Sequence, residues 1–219
     1  MEAQITLTAG LDEFLIRSAN YLGIEINFKT ESIRAAHENY LSIVTVKSAN
    51  TQLAMYPAVE VSNYRDRLAI KPANLNEELL ENLLIQVNLS AKSNSHDGVS
   101  TYIFSLAGEL IEVSESITIE SLWSLEFACT SIFENAVRAA HQLPLGKPDL
   151  KSKNWLVMNF LAPHNLDMKQ PFKHLFAHEP GYRIVKATSH SGYVALQDCE
   201  DLFKKVAHAV DYLEGVINE

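Results

Sequence analysis

Glycine is in short supply: 8 of 219 residues, about half of what an average usage of about 7% would give. Loops that hold phosphate groups need clustered glycines so that backbone amides can approach the anion. The chain has no such cluster and neither a GxGxxG nor a GxxxxGKS/T pattern, which excludes the dinucleotide-binding and P-loop enzymes built on those loops. Positive charge is scarce too. The formal net charge is -9 and the sequence pI ≈ 5.4, with no Lys/Arg cluster to override that balance locally. Such a surface repels a nucleic-acid backbone, so no nucleic-acid partner is expected. No apolar run approaches the roughly 20 residues that cross a bilayer, so no membrane insertion is expected. Met1-Glu2-Ala3-Gln4 lacks the basic flank and apolar stretch of a secretory signal. There are two cysteines, and Cys129 and Cys199 each fall on an apolar stripe of a predicted helix, where buried, reduced thiols are expected. These absences together point to a cytoplasmic protein.

What is present reads as ordinary globular sequence: 47% hydrophobic and 21% charged residues, which excludes wholesale disorder. Leu11, Phe14, Leu15, Ala19 and Leu22 recur at helical spacing, and Gly23 follows as a C′ stop. Residues 24–28 and 41–46 have strand character, and residues 31–38 read as a polar, helical turn between them. Short strands are expected near 53–61, where Pro57 suggests an edge or break, and near 67–71. Asn74-Leu75-Asn76-Glu77 reads as a capping box that opens a leucine-rich helix. After the polar break at 93–98, two apolar runs, 99–106 and 109–113, flank Gly108 as a hairpin. One long helix is then expected over about 119–142, with Leu122, Leu125, Cys129, Ile132 and Ala136 on its core face. Leu143-Pro144-Leu145-Gly146-Lys147-Pro148 ends it and is the best linker in the chain. Strands over 155–161, 183–188 and 193–197 and a terminal helix capped by Asp198 complete the reading.

The resulting fold class is α+β: an antiparallel sheet with helices packed on one face, plus a C-terminal α/β appendage. It divides into an α+β domain over 1–145 and a strand-strand-helix extension over 149–219.

Chemistry is harder to find. His164, His174, His178, Glu179 and His190 form the densest polar group. His174 and His178 lie at i and i+4, which places two imidazoles on one helix face as a zinc pair requires. Glu179 falls outside the pair, so this is not HExxH, and Pro180-Gly181 ends the helix at once. No metal is therefore assigned, with His174, His178 and His190 kept as candidates. Ser189-His190-Ser191-Gly192 reads as a hairpin turn, in which sequence neighbours seldom face each other as a nucleophile and base must. The abundant carboxylates read as solvated helix faces. Glu134-Asn135-Ala136 is similar to the N-box helix of Bergerat-fold ATPases, but Ser131 stands where the metal-holding Glu belongs. No catalytic residue and no cofactor is assigned.

From Leu11 to Leu143 the order of parts resembles the class I type III secretion chaperones, the Tir-chaperone-like family. The resemblance rests on Tyr21-Leu22-Gly23-Ile24 after the first helix, the run Leu79-Leu80-Glu81-Asn82-Leu83-Leu84-Ile85-Gln86-Val87-Asn88-Leu89, and the hairpin Phe104-Ser105-Leu106-Ala107-Gly108-Glu109-Leu110. About a third of the chain lies beyond the point where such chaperones stop. The resemblance implies a protein without catalytic activity: a cytosolic chaperone or adaptor that binds a client protein segment by strand addition at a sheet edge. Phe14, Ile43, Tyr102 and Phe104 would be its contacts, and a homodimer seam would run through Leu80 and Leu84. Two alternatives stand beside it, a metal-dependent or other small-molecule enzyme using the C-terminal histidines and a small-ligand-binding regulatory module.

Overall fold

The computed structural model describes residues 4–31, 39–94, 96–162, 169–188 and 191–216. Strand β1 (Ile5–Thr8) leads into helix α1 (Asp12–Leu22), which Gly23 ends in the left-handed region at φ 68°, its N–H returning to Asn20 O. Strands β2 (Phe28–Glu31), β3 (Asn39–Lys47), β4 (Leu53–Met55), β5 (Val59–Tyr64) and β6 (Arg67–Pro72) follow. Helix α2 (Glu77–Ser93) precedes the hairpin of β7 (Gly98–Phe104) and β8 (Leu110–Ser114). A 3-10 turn (Ile119–Leu122) and helices α3 (Trp123–Phe127) and α4 (Ile132–Ala140) come next. Strand β9 (Trp155–Leu161), helix α5 (Lys169–His178), strands β10 (Arg183–Lys186) and β11 (Ser191–Gln197) and helix α6 (Leu202–Leu213) complete the order.

Among the described residues, nine strands form one antiparallel sheet in the order β10-β11-β9-β6-β5-β3-β7-β8, with β4 on β3, while β1 and β2 pair in parallel beside it. Helices cover both faces of the sheet, not one, and the pleat shows why. Along β3, Tyr40, Val44 and Val46 point into the largest core with α1, α3 and α4, whereas Leu41 and Ile43 point to the opposite face under Leu83 and Val87 of α2. Further along that opposite face, Leu156, Met158 and Phe160 of β9 meet Val206, Ala209 and Leu213 of α6. The C-terminal strands are not an α/β appendage. They are antiparallel, and β9 joins β6 through Ala69↔Met158 and Ile70↔Val157.

The expected long helix over 119–142 is three pieces. Ala128 is extended and bridges Leu150, and Ser131 starts a new helix by accepting the Glu134 N–H at 3.1 Å. Cys129 therefore sits exposed at the break, and Cys199 is only partly covered. Segment 143–148 is tied down: Asn135, fully buried, accepts the Gly146 N–H at 2.8 Å and donates to Gly146 O and the Tyr56 hydroxyl. The α2 cap is Asn76 rather than Asn74, since its Oδ1 accepts the Leu79 N–H at 2.8 Å. Asp198 does not cap α6; its carboxylate receives the Ser152 hydroxyl, and Asp201 stands at the cap position. The expected strand at 24–28 begins only at Phe28, and the expected turn at 31–38 falls largely outside the described residues.

Candidate functional site

A cavity of about 290 Å³ opens on the main-core face of the sheet, at the lower end of the range for small-molecule sites. The β1–α1 turn supplies Thr8, Ala9 and Gly10, and the β5–β6 turn supplies Asp66 and Arg67. Ile103 and Glu112, directly opposed on β7 and β8, form another wall, with Thr118 to Glu120 and Leu122 beside them. Asn159 of β9 and Gly192 of β11 close the far side. Gly192 is required there, because a Cβ would collide with the Val185 carbonyl oxygen.

The most unusual chemistry is in this wall. Tyr40 is turned inward by the pleat of β3, and its hydroxyl donates to Glu120 Oε1 at 2.5 Å. Both side chains are buried, with Glu120 only 5% exposed. Burial and the neighbouring carboxylate push the Tyr40 phenol far above its ordinary range, so it remains a donor. Among the described residues, Glu120 Oε2 has no hydrogen-bond partner. A buried carboxylate oxygen left without a donor costs on the order of 1–3 kcal/mol or more.

The cation of the cavity is already engaged. Arg67 Nε donates to Glu214 Oε1 at 2.5 Å, and the same oxygen accepts the Leu161 N–H at 2.7 Å. Asn159 Oδ1 accepts the Leu68 N–H at 2.7 Å, which braces the rim where the β6–β9 ladder is short. Behind the wall, the Tyr193 hydroxyl donates to Glu126 at 2.8 Å, and burial together with that carboxylate raises its phenol likewise.

The residues singled out from sequence lie elsewhere. Phe14 borders the cavity but is buried against Phe133 and Tyr193, with ring centroids 5.9 and 5.6 Å away. Ile43, Tyr102 and Phe104 are buried in the core under α2. Leu80 is exposed, and Leu84 is partly covered against that same core. His174 and His178 do share a face of α5, with ring centroids 4.5 Å apart. Unforeseen from spacing, His208 of α6 lies 6.1 and 6.4 Å from them, and Tyr212 stacks on His174 at 4.3 Å. Among the described residues no three His, Cys, Asp or Glu side chains are placed to hold a metal ion. His164 and His190 lie outside the described residues. Glu179 is bound to Lys205 at 2.8 Å and to the Gly181 N–H, and these contacts hold its carboxyl below the usual range. No helix among the described residues is long and apolar enough to cross a membrane.

Sequence reasoning missed Tyr40 and Glu120. They are 80 positions apart, and a single Glu after Thr118-Ile119 carries no motif.

No protein-family model and no curated protein matches the sequence. Solved structures do share its fold. N5-carboxyaminoimidazole ribonucleotide synthetase from Thermus thermophilus matches with TM-score 0.62 at 20% identity, over 85% of this chain and 52% of that one. N5-carboxyaminoimidazole synthase from Aspergillus clavatus, in complex with ADP and 5-aminoimidazole ribonucleotide, matches with TM-score 0.64 at 15% identity, over 82% and 52%. Glycinamide-RNase-transformylase T from Mycobacterium tuberculosis matches with TM-score 0.64 at 14% identity, over 86% and 53%. The chain thus spans about half the length of the structures it matches. These likenesses correct the secretion-chaperone resemblance, because the fold these residues build is shared with parts of synthetases and a transformylase. The expectation of a non-catalytic, client-holding adaptor rested on that resemblance and goes with it. The chain shares its fold with about half of each of these enzymes.

Proposed function

We propose that this chain supplies the ligand-binding part of an ATP-dependent small-molecule enzyme, with the co-substrate seated in the cavity beside Tyr40 and Glu120. The observation that carries the reading is the buried Tyr40–Glu120 pair at a cavity of ligand size. A sheet core built for stability alone gains nothing from a half-satisfied carboxylate, and such groups concentrate where a ligand or a reaction uses them. The names of the matched structures support the ATP-dependent part of the reading: one is an ADP complex and another is complexed with ATP. The cavity itself suits the co-substrate rather than the nucleotide, since its carboxylates repel a triphosphate.

The test is ADP formation from magnesium-ATP in the presence of a panel of small amines, compared between the wild type and Ala9→Trp. Ala9 is exposed and borders the cavity, so the indole obstructs entry without entering the core. The wild type is expected to form ADP in a co-substrate-dependent way, and A9W to lose at least tenfold of that rate with its melting temperature unchanged. A full rate in A9W, or no ADP with any co-substrate, contradicts the reading.

A further inference from the structure

We propose that Asn159 sets the selectivity of this cavity, its side-chain amide nitrogen donating to an uncharged acceptor on the ligand, a carbonyl oxygen or a ring nitrogen. The inference rests on the cavity being the ligand site and adds the chemical class of what enters it. Placement gives the first argument. Along β9, Trp155 and Val157 point into the main core, whereas Leu156, Met158 and Phe160 lie under α6. Alternation therefore turns Asn159 to the main-core face, where the cavity opens. An amide thus continues a stripe begun by tryptophan and valine. Asn159 is only partly buried, and β11 pairs with it through Tyr193, so its exposed part looks into the cavity.

Hydrogen bonding gives the second, independent argument. The Leu68 N–H donates to Asn159 at 2.7 Å, and only an oxygen can accept it, which fixes the orientation of the amide. That brace uses Oδ1 alone. Nδ2, with its hydrogens still to donate, has no partner among the described residues and is not sealed from solvent. An aspartate would brace Leu68 as well, so the fold does not account for the nitrogen. Its complement is an acceptor. Charge narrows the class. Among the described residues that line the cavity Arg67 is the one cation, and it already donates to Glu214 and to the Asp66 carbonyl oxygen. A carboxylate or phosphate would enter a partly desolvated space with no free cation among those residues to meet it, which costs more than placing a carbonyl or ring nitrogen on a matched donor.

Isothermal titration with quinoline and with indole tests this. Both are compact fused-ring compounds of similar apolar area, uncharged at neutral pH. Quinoline offers only an acceptor nitrogen, and indole only a donor N–H. The wild type is expected to bind quinoline about threefold or more tightly than indole, the scale of one neutral hydrogen bond. Asn159→Asp keeps an oxygen for the Leu68 N–H and replaces the donor with an acceptor, so it is expected to abolish or reverse that preference. In a nitrogen–proton correlation spectrum of the wild type, the Asn159 side-chain amide is expected to shift with quinoline and to stay in place with indole. Indole bound as tightly as quinoline overturns the proposal while leaving the cavity as a ligand site. An unmoved Asn159 amide in the presence of bound quinoline overturns it too, and so does a preference undiminished in N159D. Heat from neither compound also overturns it, and ADP formation with its loss in A9W then decides separately whether the enzyme reading survives.

Discussion

Buried tyrosines whose hydroxyls meet a carboxylate are the residue-level signature of this molecule. Tyr40 meets Glu120 and Tyr193 meets Glu126, and in each case burial is the largest cause of a raised phenol pKa, with the carboxylate adding to it. The consequence for stability has a definite sign. A phenol whose folded pKa lies above its unfolded value near 10 contributes stability that is complete below about pH 10. That contribution drains as the pH rises further, because the unfolded chain gives up the proton first, at about 1.4 kcal/mol per pH unit for each such group. Tyr193→Phe removes one of them. Urea unfolding at pH 10 and pH 11 should show the variant losing about 1 kcal/mol less than the wild type over that interval, and equal losses would refute it. None of this was legible in the sequence. Tyr40 stands just before the strand read at 41–46 and Glu120 in the helix read at 119–142, and what makes them a pair is a pleat direction meeting a turn 80 residues away.

At the element level, the sequence was most readable where periodicity and punctuation agree. The first helix with its Gly23 stop, the β-branched strand expected at 41–46 and found over 39–47, and the hairpin about Gly108 are all present. It misled where one apolar stripe runs through two helices. Leu122, Ile132 and Ala136 are buried as a single helix would require, yet the chain breaks between them at 128–131. The signal was available in Ser131-Ile132-Phe133-Glu134, which has the spacing of a capping box. Ser124 reinforces the break, since its hydroxyl accepts the Ile132 N–H at 3.0 Å while donating to Ser121 O. Ser131→Ala should therefore cost about 1 kcal/mol in denaturant unfolding. A neutral substitution would mean that the Glu134 amide finds another acceptor.

At the scale of the whole molecule, the decisive pairing is β6 with β9. It links residues 69–70 to 157–158, crosses the Pro/Gly segment that looked like a linker, and turns two runs of strands into one sheet. Antiparallel partners so far apart leave no local pattern, since each strand alternates much as it would in any half-buried sheet. The secretion-chaperone resemblance arose from that gap, since the order of elements along the chain does not say how they assemble. The cavity is a product of the assembly too, walled by the β1–α1 turn, β3, β7, β8 and the strands that β9 brings alongside. The central claim, that this assembly serves an ATP-dependent enzyme, is tested most directly by isothermal titration of the protein with magnesium-ADP. A saturable one-site isotherm, with a matching rise in melting temperature as free ligand exceeds its Kd, is the result this account predicts. No heat and no thermal shift at millimolar nucleotide would contradict it.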